Sequence, residues 1–545
     1  MKFILAIVLL SCPALLAQDS ITITDIRSAE KLIGLKFNDA KRESLLGDVR
    51  GLLKSYENLR SLPIPNSVVP SMLFNPIPFG STFKKERSHF SPEGKKNVPV
   101  PKTNEELAFS SVTELSALIK SRKITSEQLT RLYLERIVRY RPMLQCIVTV
   151  TESLALAQAR SADKEIAAGK YRGPLHGIPY GAKDLLSTKT YPTTWGSVPF
   201  KHQVIDEDAT VIQRLEQAGA VLIAKTAMGE LAWGDVWFGG KSKNPWDTTQ
   251  GSSGSSAGSA SGTAAGLFAF AIGSETYGSI VSPSTRCGTT GLRPTYGRVS
   301  RYGAMALSWS MDKLGPICRS VEDCALVFNA IYGPDEKDQT LYDLPFTYEP
   351  KKTDLKKLRI GYLKSDFDNS TEGKQFSDSV LTVLRGLGAE LIPIELPAMP
   401  IGAINIMLDA ESAAAFDEVT RNGQDDMMVR QIKNAWPNAF RASRFIPAVE
   451  YIQASRARQL LIQQMQKVMS NVDVYVGPSQ EGSSLLLTNL TGHPCVVLPC
   501  GFDQQGHPVS ITFTGNLFGE GTLLAVAKKY QDATTYHRMH PKLDK

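Results

Sequence analysis

Serines stand at both ends of a glycine-rich segment that spans residues 250–279. Ser255 and Ser256 lie near its start, Ser279 closes it, and residues 264–272 form an apolar run. Gly/Ser-rich sequence alone is typical of a flexible linker. An apolar run between two glycine clusters favours burial, so we expect a packed core to hold both clusters. Glycines beside serines can also present backbone N–H groups to an anion, which indicates an active site.

Three motifs in this chain have the residue types and the spacing of one enzyme family. They are Gly177-Ile178-Pro179-Tyr180-Gly181-Ala182-Lys183-Asp184, Gly254-Ser255-Ser256-Ala257-Gly258 and Glu275-Thr276-Tyr277-Gly278-Ser279-Ile280. In these motifs the chain resembles the amidase signature family of serine hydrolases. The resemblance covers about residues 110–528 and implies an α/β fold, a mixed central β-sheet flanked by helices.

The resemblance also implies a role for each polar residue of the motifs. Ser279 would be the nucleophile, Ser255 would relay its proton, and Lys183 would be the general base. Ser256 would give a supporting hydrogen bond, and the Gly254–Ser255 peptide would be cis. The chemistry needs such a set, because a serine hydroxyl attacks an amide only when a base takes its proton. Lysine is a base only when neutral, which burial favours.

The resemblance further implies that backbone N–H groups of the second serine motif form the oxyanion hole. These groups belong to Thr276, Tyr277, Gly278 and Ser279. It implies no metal and no organic cofactor, and no Cys/His spacing indicates zinc. Asp184 is expected to be structural, and His493 and Cys495 are expected to fill core positions.

Other interpretations of the same residues stay open. Lys183 could be a surface lysine and the serines could be loop residues. Residues 254–258 also fit G-x-S-x-G, the nucleophile elbow of α/β-hydrolases, in which Ser256 would attack. That motif needs a strand running into the serine turn, whereas residues 244–250 are turn-rich. It also needs a downstream acid and a histidine, for which His493, His507, His537 and His540 are available.

The chain departs from the family pattern at three positions near the nucleophile. Val281 replaces a common arginine, Glu275 replaces an aspartate, and Tyr277 stands where the peptide-amidase branch has an acidic residue. The pattern is closer to that branch than to the glutamine-processing subunit of tRNA amidotransferases. Residues 403–455 are expected to form much of the substrate wall. We expect an amidase acting on a small-molecule or peptide amide; the alternative is a partner-dependent or non-catalytic subunit resembling the amidotransferase component.

The composition and the N-terminal residues limit the classes of protein to which this chain can belong. The 545 residues are 42% hydrophobic and 21% charged, and the diffuse net charge of +7 indicates no nucleic-acid partner. Residues 1–17 resemble a signal peptide, too short for a membrane span, which predicts export. Leu9-Leu10-Ser11-Cys12 weakly resembles a lipobox, with Cys12 as the lipid-modified residue. Six cysteines remain after cleavage, which permits disulfides without requiring them.

Residues 18–104 are predicted to be a helical extension with a proline-rich arm, and residues 105–545 the amidase signature domain. Helices are predicted at 25–35 and 38–59, and capping boxes at Ser111/Glu114 and Thr125/Gln128 open two more. Helix–glycine–strand units at 208–224 and 380–396 are typical of α/β proteins. The arm, 62–102, carries Lys84, Lys85, Arg87, Lys95 and Lys96, and a solvated linker is expected in preference to membrane binding.

Overall fold

The computed structural model describes residues 21–68, 70–83, 85, 88–95, 97–370, 373–479 and 481–544. The predicted signal peptide and Cys12 lie outside these residues. Among the described residues, no helix combines the length and the apolar composition that a membrane span requires. The chain divides into two compact units, of which the first ends at Pro65 and the second begins at Asn66. The second unit therefore includes residues 66–104, which the sequence interpretation grouped with the extension.

The first unit contains two helices joined by a short turn, α1 (Ile23–Ile33) and α2 (Asp39–Arg60). Gly34 ends α1 in a left-handed conformation, with φ of 68°, and the Asn38 side chain caps α2. Both predicted helices are confirmed to within two residues at each end. The buried Arg42 guanidinium donates to both carboxylate oxygens of Glu30 at 2.8 Å, which joins the two helices.

The second unit alternates helices and strands. Its helices are α3 (Asn104–Ala108), α4 (Val112–Lys120), α5 (Ser126–Leu144), α6 (Glu152–Ala167), α7 (Thr210–Gln217), α8 (Ala257–Ala264), α9 (Val281–Cys287), α10 (Val321–Ile331), α11 (Lys364–Asn369), α12 (Lys374–Gly386), α13 (Ile401–Ile404), α14 (Ile406–Ala415), α15 (Asp417–Arg421), α16 (Trp436–Ser443), α17 (Ala448–Met469), α18 (Ser484–Thr491) and α19 (Glu520–Asp532). Both predicted capping boxes are confirmed, since each pair of residues makes its two reciprocal hydrogen bonds at the start of α4 and α5.

The strands are β1 (Ile147–Val150), β2 (Pro179–Lys183), β3 (Val221–Thr226), β4 (Val236–Trp237), β5 (Gly240–Lys241), β6 (Lys243–Asn244), β7 (Asp247–Gly251), β8 (Phe270–Glu275), β9 (Thr290–Arg293), β10 (Lys313–Cys318), β11 (Ile360–Leu363), β12 (Leu391–Ile394), β13 (Val474–Pro478), β14 (Cys495–Phe502) and β15 (Pro508–Gly515). In the described chain, eleven strands form one mixed sheet in the order β1-β3-β2-β8-β10-β9-β14-β15-β13-β11-β12. The predicted α/β class with a mixed central sheet is confirmed.

Both predicted helix–glycine–strand units are present with shifted boundaries. The first is α7, Gly219 and β3; the helix begins two residues later than expected. The second is α12, Gly388 and β12; the helix begins six residues earlier than expected. Gly219 and Gly388 have φ of 81° and 91°, the left-handed conformation that ends a helix at low cost. Local pattern thus identified the elements but not where each begins, which tertiary contacts decide.

The described residues of the proline-rich arm are irregular, but they are not a solvated linker; Lys84, Arg87 and Lys96 lie outside the described residues. Aromatic side chains along it pack on later residues of the second unit: the Phe74 ring lies 5.0 Å from that of Tyr296, and the Phe90 ring lies 5.8 Å from that of Phe346. Asn66 exchanges two hydrogen bonds with the backbone of Ala306, both at 2.8 Å. Burial of aromatic surface outweighs the arm's charge and prolines, so the expectation of a linker is corrected.

Candidate active site

Lys183 lies at the carboxyl end of β2, next to the parallel strand β8. Carboxyl ends of parallel strands meet at one edge of a sheet, which brings the end of β8 beside the lysine. The Lys183 side chain is fully buried. Its Nζ donates to Ser255 Oγ at 2.7 Å, to Ser274 Oγ at 2.8 Å and to Ser256 Oγ at 3.1 Å. The structure therefore unites two of the predicted motifs around one ammonium or amine group.

The environment of Lys183 favours its neutral form. Burial lowers the pKa of Lys183 to about 7, although the carboxylates of Asp312 and Glu275 oppose that change. A charged ammonium loses its hydration when buried, and uncharged hydroxyl groups replace that hydration only in part. A lysine with this pKa can accept a proton near neutral pH and return it.

The peptide bond between Gly254 and Ser255 is cis, as the resemblance implied. The Ser255 carbonyl accepts the Gly229 N–H at 3.3 Å, so the loop after β3 lies directly against this peptide. A side chain at Gly254 would have no room, because its Cβ would lie 1.8 Å from the Gly234 carbonyl oxygen. Only glycine fits at position 254 in this backbone arrangement.

Ser256 is bonded to both neighbouring segments of the site. Its hydroxyl donates to the Ser274 carbonyl at 3.0 Å and accepts the Ser274 N–H at 3.1 Å, and its side chain is fully buried. Its own N–H donates to the Ser279 carbonyl at 3.1 Å, which ties the two serine motifs together. With its proton committed to a carbonyl, Ser256 has no free path to a substrate.

The nucleophile-elbow interpretation does not fit this geometry. Residues 244–250, expected to be turn-rich, include β7, which pairs only with β6 in a small hairpin outside the main sheet. The predicted turn is present at Pro245 and Trp246, between β6 and β7, and in the described chain no strand of the main sheet runs into Ser256. Among the candidate histidines, His493 bonds Thr491 and His507 lies beside Asp503. The geometry thus favours the lysine-based set.

Residues 276–279, here called the nucleophile loop, join β8 to α9. In the described part of the chain, the four backbone N–H groups of this loop donate to no acceptor. Gly278 has φ of 81°, a conformation that favours glycine. The Ser279 side chain is 7% exposed, whereas Tyr277 is 45% exposed. Free N–H groups beside a nearly buried hydroxyl form an arrangement that can bind an oxyanion.

The Glu275 side chain bonds to the backbone that follows the nucleophile loop. One of its carboxylate oxygens accepts the N–H groups of Ile280 and Val281, at 2.8 and 2.9 Å. The other accepts from Arg293 and Asn489, both at 2.8 Å. Burial opposes ionisation, but the charges of Arg293 and Lys313 prevail and lower the pKa of Glu275 to about 2. The carboxylate is therefore ionised and fixes both ends of the loop.

The remaining predicted residues lie around the site in structural roles. The Asp184 carboxylate pairs with the Lys225 ammonium at 3.0 Å, and both are fully buried. His493 Nδ1 lies 2.8 Å from the Thr491 hydroxyl, and burial lowers the pKa of His493 to about 3. The six described cysteines, Cys495 among them, are buried free thiols. Asp184 and His493 therefore have partners outside the serine–lysine cluster.

Two residues at the site were missed by the sequence interpretation. Ser274 bonds Lys183, and Asp312 accepts the Thr276 hydroxyl at 2.5 Å. Ser274 precedes Glu275 on β8, and strand alternation places their side chains on opposite faces, which was the available signal. Asp312 lies 33 residues after Ser279 in the sequence, and no local pattern connects it to the loop.

Residues 403–455 run from the end of α13 through α16 to the start of α17. They contact two loops beside the site, the loop after β3 and the loop before β10. The Val429 N–H donates to Glu230 at 2.9 Å, next to Gly229, which bonds Ser255. On α14, Glu411 accepts the hydroxyls of Ser308 and Ser310, both at 2.7 Å. This segment therefore adjoins the cis peptide on one side and the residues preceding Asp312 on the other.

Comparison with known proteins gives the family. The sequence profile described as Amidase matches residues 128–524, which include every residue of the serine–lysine cluster. This chain belongs to the amidase signature family. It is 34% identical over 487 residues to one subunit of the glutamyl-tRNA(Gln) amidotransferase of Carboxydothermus hydrogenoformans, a match that covers 80% of this chain and 100% of that protein. The amidase is thus an enzyme of amide C–N bond hydrolysis.

Solved structures resemble this amidase over the same share of the chain. The native peptide amidase from Stenotrophomonas maltophilia is 29% identical with a TM-score of 0.72; the match covers 80% of this chain and 99% of that one. An amidase family protein from Bacillus anthracis is 29% identical with a TM-score of 0.73, covering 81% and 94%. Both share the large mixed sheet that carries the site.

Proposed function

We propose that this amidase hydrolyses a carboxylic amide through an acyl-enzyme on Ser279, with Ser255 as relay and Lys183 as base. The observation that carries the proposal is the hydrogen bond of 2.7 Å from a fully buried lysine to Ser255. An amine with a pKa of about 7 can take the relay proton near neutral pH. No metal or organic cofactor enters the proposed reaction.

In the proposed reaction Ser279 Oγ attacks the amide carbon while its proton passes to Ser255 Oγ, and the Ser255 proton passes to Lys183 Nζ. The free N–H groups of Thr276, Tyr277, Gly278 and Ser279 bind the oxyanion; each such donor is worth about 3–4 kcal/mol in other hydrolases. The protonated lysine then returns a proton through Ser255 to the leaving nitrogen. Water deacylates Ser279 by the same route.

One link of this relay is open in the unliganded chain. Among the described residues, the hydroxyls of Ser255 and Ser279 make no hydrogen bond with each other. The two motifs are nevertheless joined by the bond from the Ser256 N–H to the Ser279 carbonyl. Catalytic hydrogen bonds often close only when substrate binds. We propose that the Ser255–Ser279 bond forms in the substrate complex.

Free amide hydrolysis, and not glutamine use within a complex, is our proposal for the substrate. At the position where the resemblance led us to expect an arginine, Val281 is buried in an apolar cluster with Cys495 and Val497. Tyr277, which is half-exposed, would narrow the entrance, and residues 403–455 would form the substrate wall. We also propose export, because an apolar run follows Lys2 at the N-terminus.

A second function is favoured by one comparison. The matching subunit of the glutamyl-tRNA(Gln) amidotransferase of Dechloromonas aromatica is 35% identical, and the match covers 99% of that protein. By analogy, this chain would release ammonia from glutamine inside a complex with a partner protein. The purified single chain would then hydrolyse peptide amides and aryl amides slowly or not at all.

The decisive experiment combines a phosphonate that labels active serines with a panel of peptide, fatty and aryl amides. We expect labelling at Ser279 in the purified chain, none in Ser279→Ala, and loss of most turnover in folded Ser255→Ala. Labelling at Ser256 would instead support the nucleophile-elbow interpretation, in which Ser256 attacks the substrate. Turnover only after addition of a partner protein would favour the amidotransferase function. Near-normal turnover by Ser255→Ala would reject the relay.

A further inference from the structure

The side chain of Asp312 connects the nucleophile loop to a second loop, residues 306–312, here called the support loop. One carboxylate oxygen accepts the Thr276 hydroxyl at 2.5 Å. The other accepts the N–H groups of Leu307 and Ser308, at 2.8 and 3.0 Å, within the support loop itself. The Thr276 hydroxyl is the donor in this contact, so its orientation is fixed by Asp312.

Parts of the chain far apart in sequence hold the support loop in place. Glu411 on α14 accepts the Ser308 hydroxyl at 2.7 Å, and Arg458 on α17 donates to the Ser310 carbonyl at 2.9 Å. From the arm, Asn66 pairs with the backbone of Ala306. These contacts are largely buried and directional. The support loop is therefore a rigid mount for the carboxylate of Asp312.

Thr276 connects the support loop to the groups of the proposed reaction. In the described residues its hydroxyl bonds Asp312 alone, and its backbone N–H is one of the four free donors of the nucleophile loop. An oxyanion donor works only when it is held near the position that the charge will occupy. We propose that Asp312 is a positioning residue, which acts through Thr276 to fix the oxyanion hole and Ser279. The proposal rests on the proposed acyl-enzyme function.

The charge of Asp312 gives this role a second measurable effect. Asp312 and Glu275 are the carboxylates that raise the pKa of Lys183 against burial. The basic groups facing Asp312 are Arg301, Lys313 and Lys183; burial raises the pKa of Asp312, and the charge of Arg301 opposes that change. Removing the Asp312 charge leaves Glu275 as the remaining opposing carboxylate. The pKa of Lys183 then falls, and the acidic limb of activity moves to lower pH.

The test uses Asp312→Asn and Thr276→Val in the full chain. Each variant is expected to lose roughly tenfold to a hundredfold in kcat/KM and in the rate of Ser279 labelling, as small misplacements do in other enzymes. Asp312→Asn should also shift the acidic limb to lower pH, whereas Thr276→Val should leave it in place. The double variant should lose no more than the worse single variant, because one contact is removed in each.

Asp323→Asn is the matched control. The buried Asp323 accepts both the N–H and the hydroxyl of Thr113 at 3.1 Å, so this variant loses similar hydrogen bonds at a carboxylate that is not among those acting on Lys183. We expect Ser279 of Asp323→Asn to be labelled at the wild-type rate and the acidic limb of its activity to stay at the same pH. If Asp312→Asn fails to fold by circular dichroism, Thr276→Val decides alone. Wild-type labelling rates in both site variants would overturn the positioning role. Absence of labelling in the wild type would instead overturn the proposed function.

Discussion

The pH dependence of amide hydrolysis tests whether Lys183 is the base. The lysine acts only when neutral, and burial places its pKa at about 7. At pH 6 about a tenth of the molecules would hold a neutral lysine, and at pH 5 about a hundredth. With the reference pKa of lysine, only about one molecule in three thousand would be active even at pH 7. We therefore expect kcat/KM to fall about tenfold for each pH unit below 6.

The assay measures kcat/KM for an uncharged amide between pH 5 and 9 at constant ionic strength. Lys183→Ala is measured alongside, and circular dichroism at each pH confirms that both proteins are folded. The residual activity of the variant should lack the acidic limb. A limb of equal slope and midpoint in the folded variant would refute the assignment, because another group would then supply the base.

The same group must affect folding stability, with a predictable sign. The folded pKa lies near 7 and the unfolded pKa near 10.5, so between these values only the unfolded chain binds the extra proton. The free energy of unfolding therefore rises with pH in that window, by about 1.4 kcal/mol per unit. Lys183→Met, which keeps the volume without the charge, should reduce that slope in urea unfolding. An unchanged slope would mean that the lysine is charged when folded.

Two further outcomes are expected from the site and one from the predicted signal peptide. Lys183→Ala should raise the ester-to-amide ratio of kcat/KM, because an amine must be protonated to leave whereas the phenolate of an aryl ester leaves without a proton. Equal losses of kcat/KM on ester and amide would make Lys183 structural. Arg293→Met should lower the free energy of unfolding by about 3–5 kcal/mol, since it leaves the buried Glu275 unpaired; a cost below 1 kcal/mol, measured with urea, would contradict that pairing. Mass spectrometry of native protein should find a chain beginning near Gln18 or an acylated Cys12, and active protein that retains Met1 would reject export.

The sequence predicted the serine–lysine contact because the three motifs carry enough residues to identify a family. Lys183, Ser255 and Ser256 meet as the resemblance implied, and the cis peptide lies where it was expected. Helix boundaries near capping boxes were also predictable, since a cap depends on residues three positions apart. Family motifs therefore sufficed for Lys183 and Ser255, which are 72 residues apart, and local chemistry sufficed where the determining residues are close in the chain.

Contacts with residues outside the recognised motifs could not be read from the sequence. Asp312 contacts Thr276 because the neighbouring strands β8 and β10 pair in a register that places Glu275 opposite Lys313. The arm looked like a linker because its prolines and lysines hide the effect of a few well-placed aromatic rings. Side-chain orientation after folding, and not residue type, decides both cases.

The arm has a practical consequence for anyone who shortens this chain. A recombinant fragment cut at the limits of the family profile, residues 128–524, would discard Asn66 and Phe74. It would thereby free the backbone of Ala306 and uncover Arg458, whose guanidinium lies 3.4 Å from the centre of the Phe74 ring. Such a fragment would keep every residue of the serine–lysine cluster, yet its support loop would lose the contact with Asn66, and Arg458, which bonds Ser310, would lose the Phe74 ring.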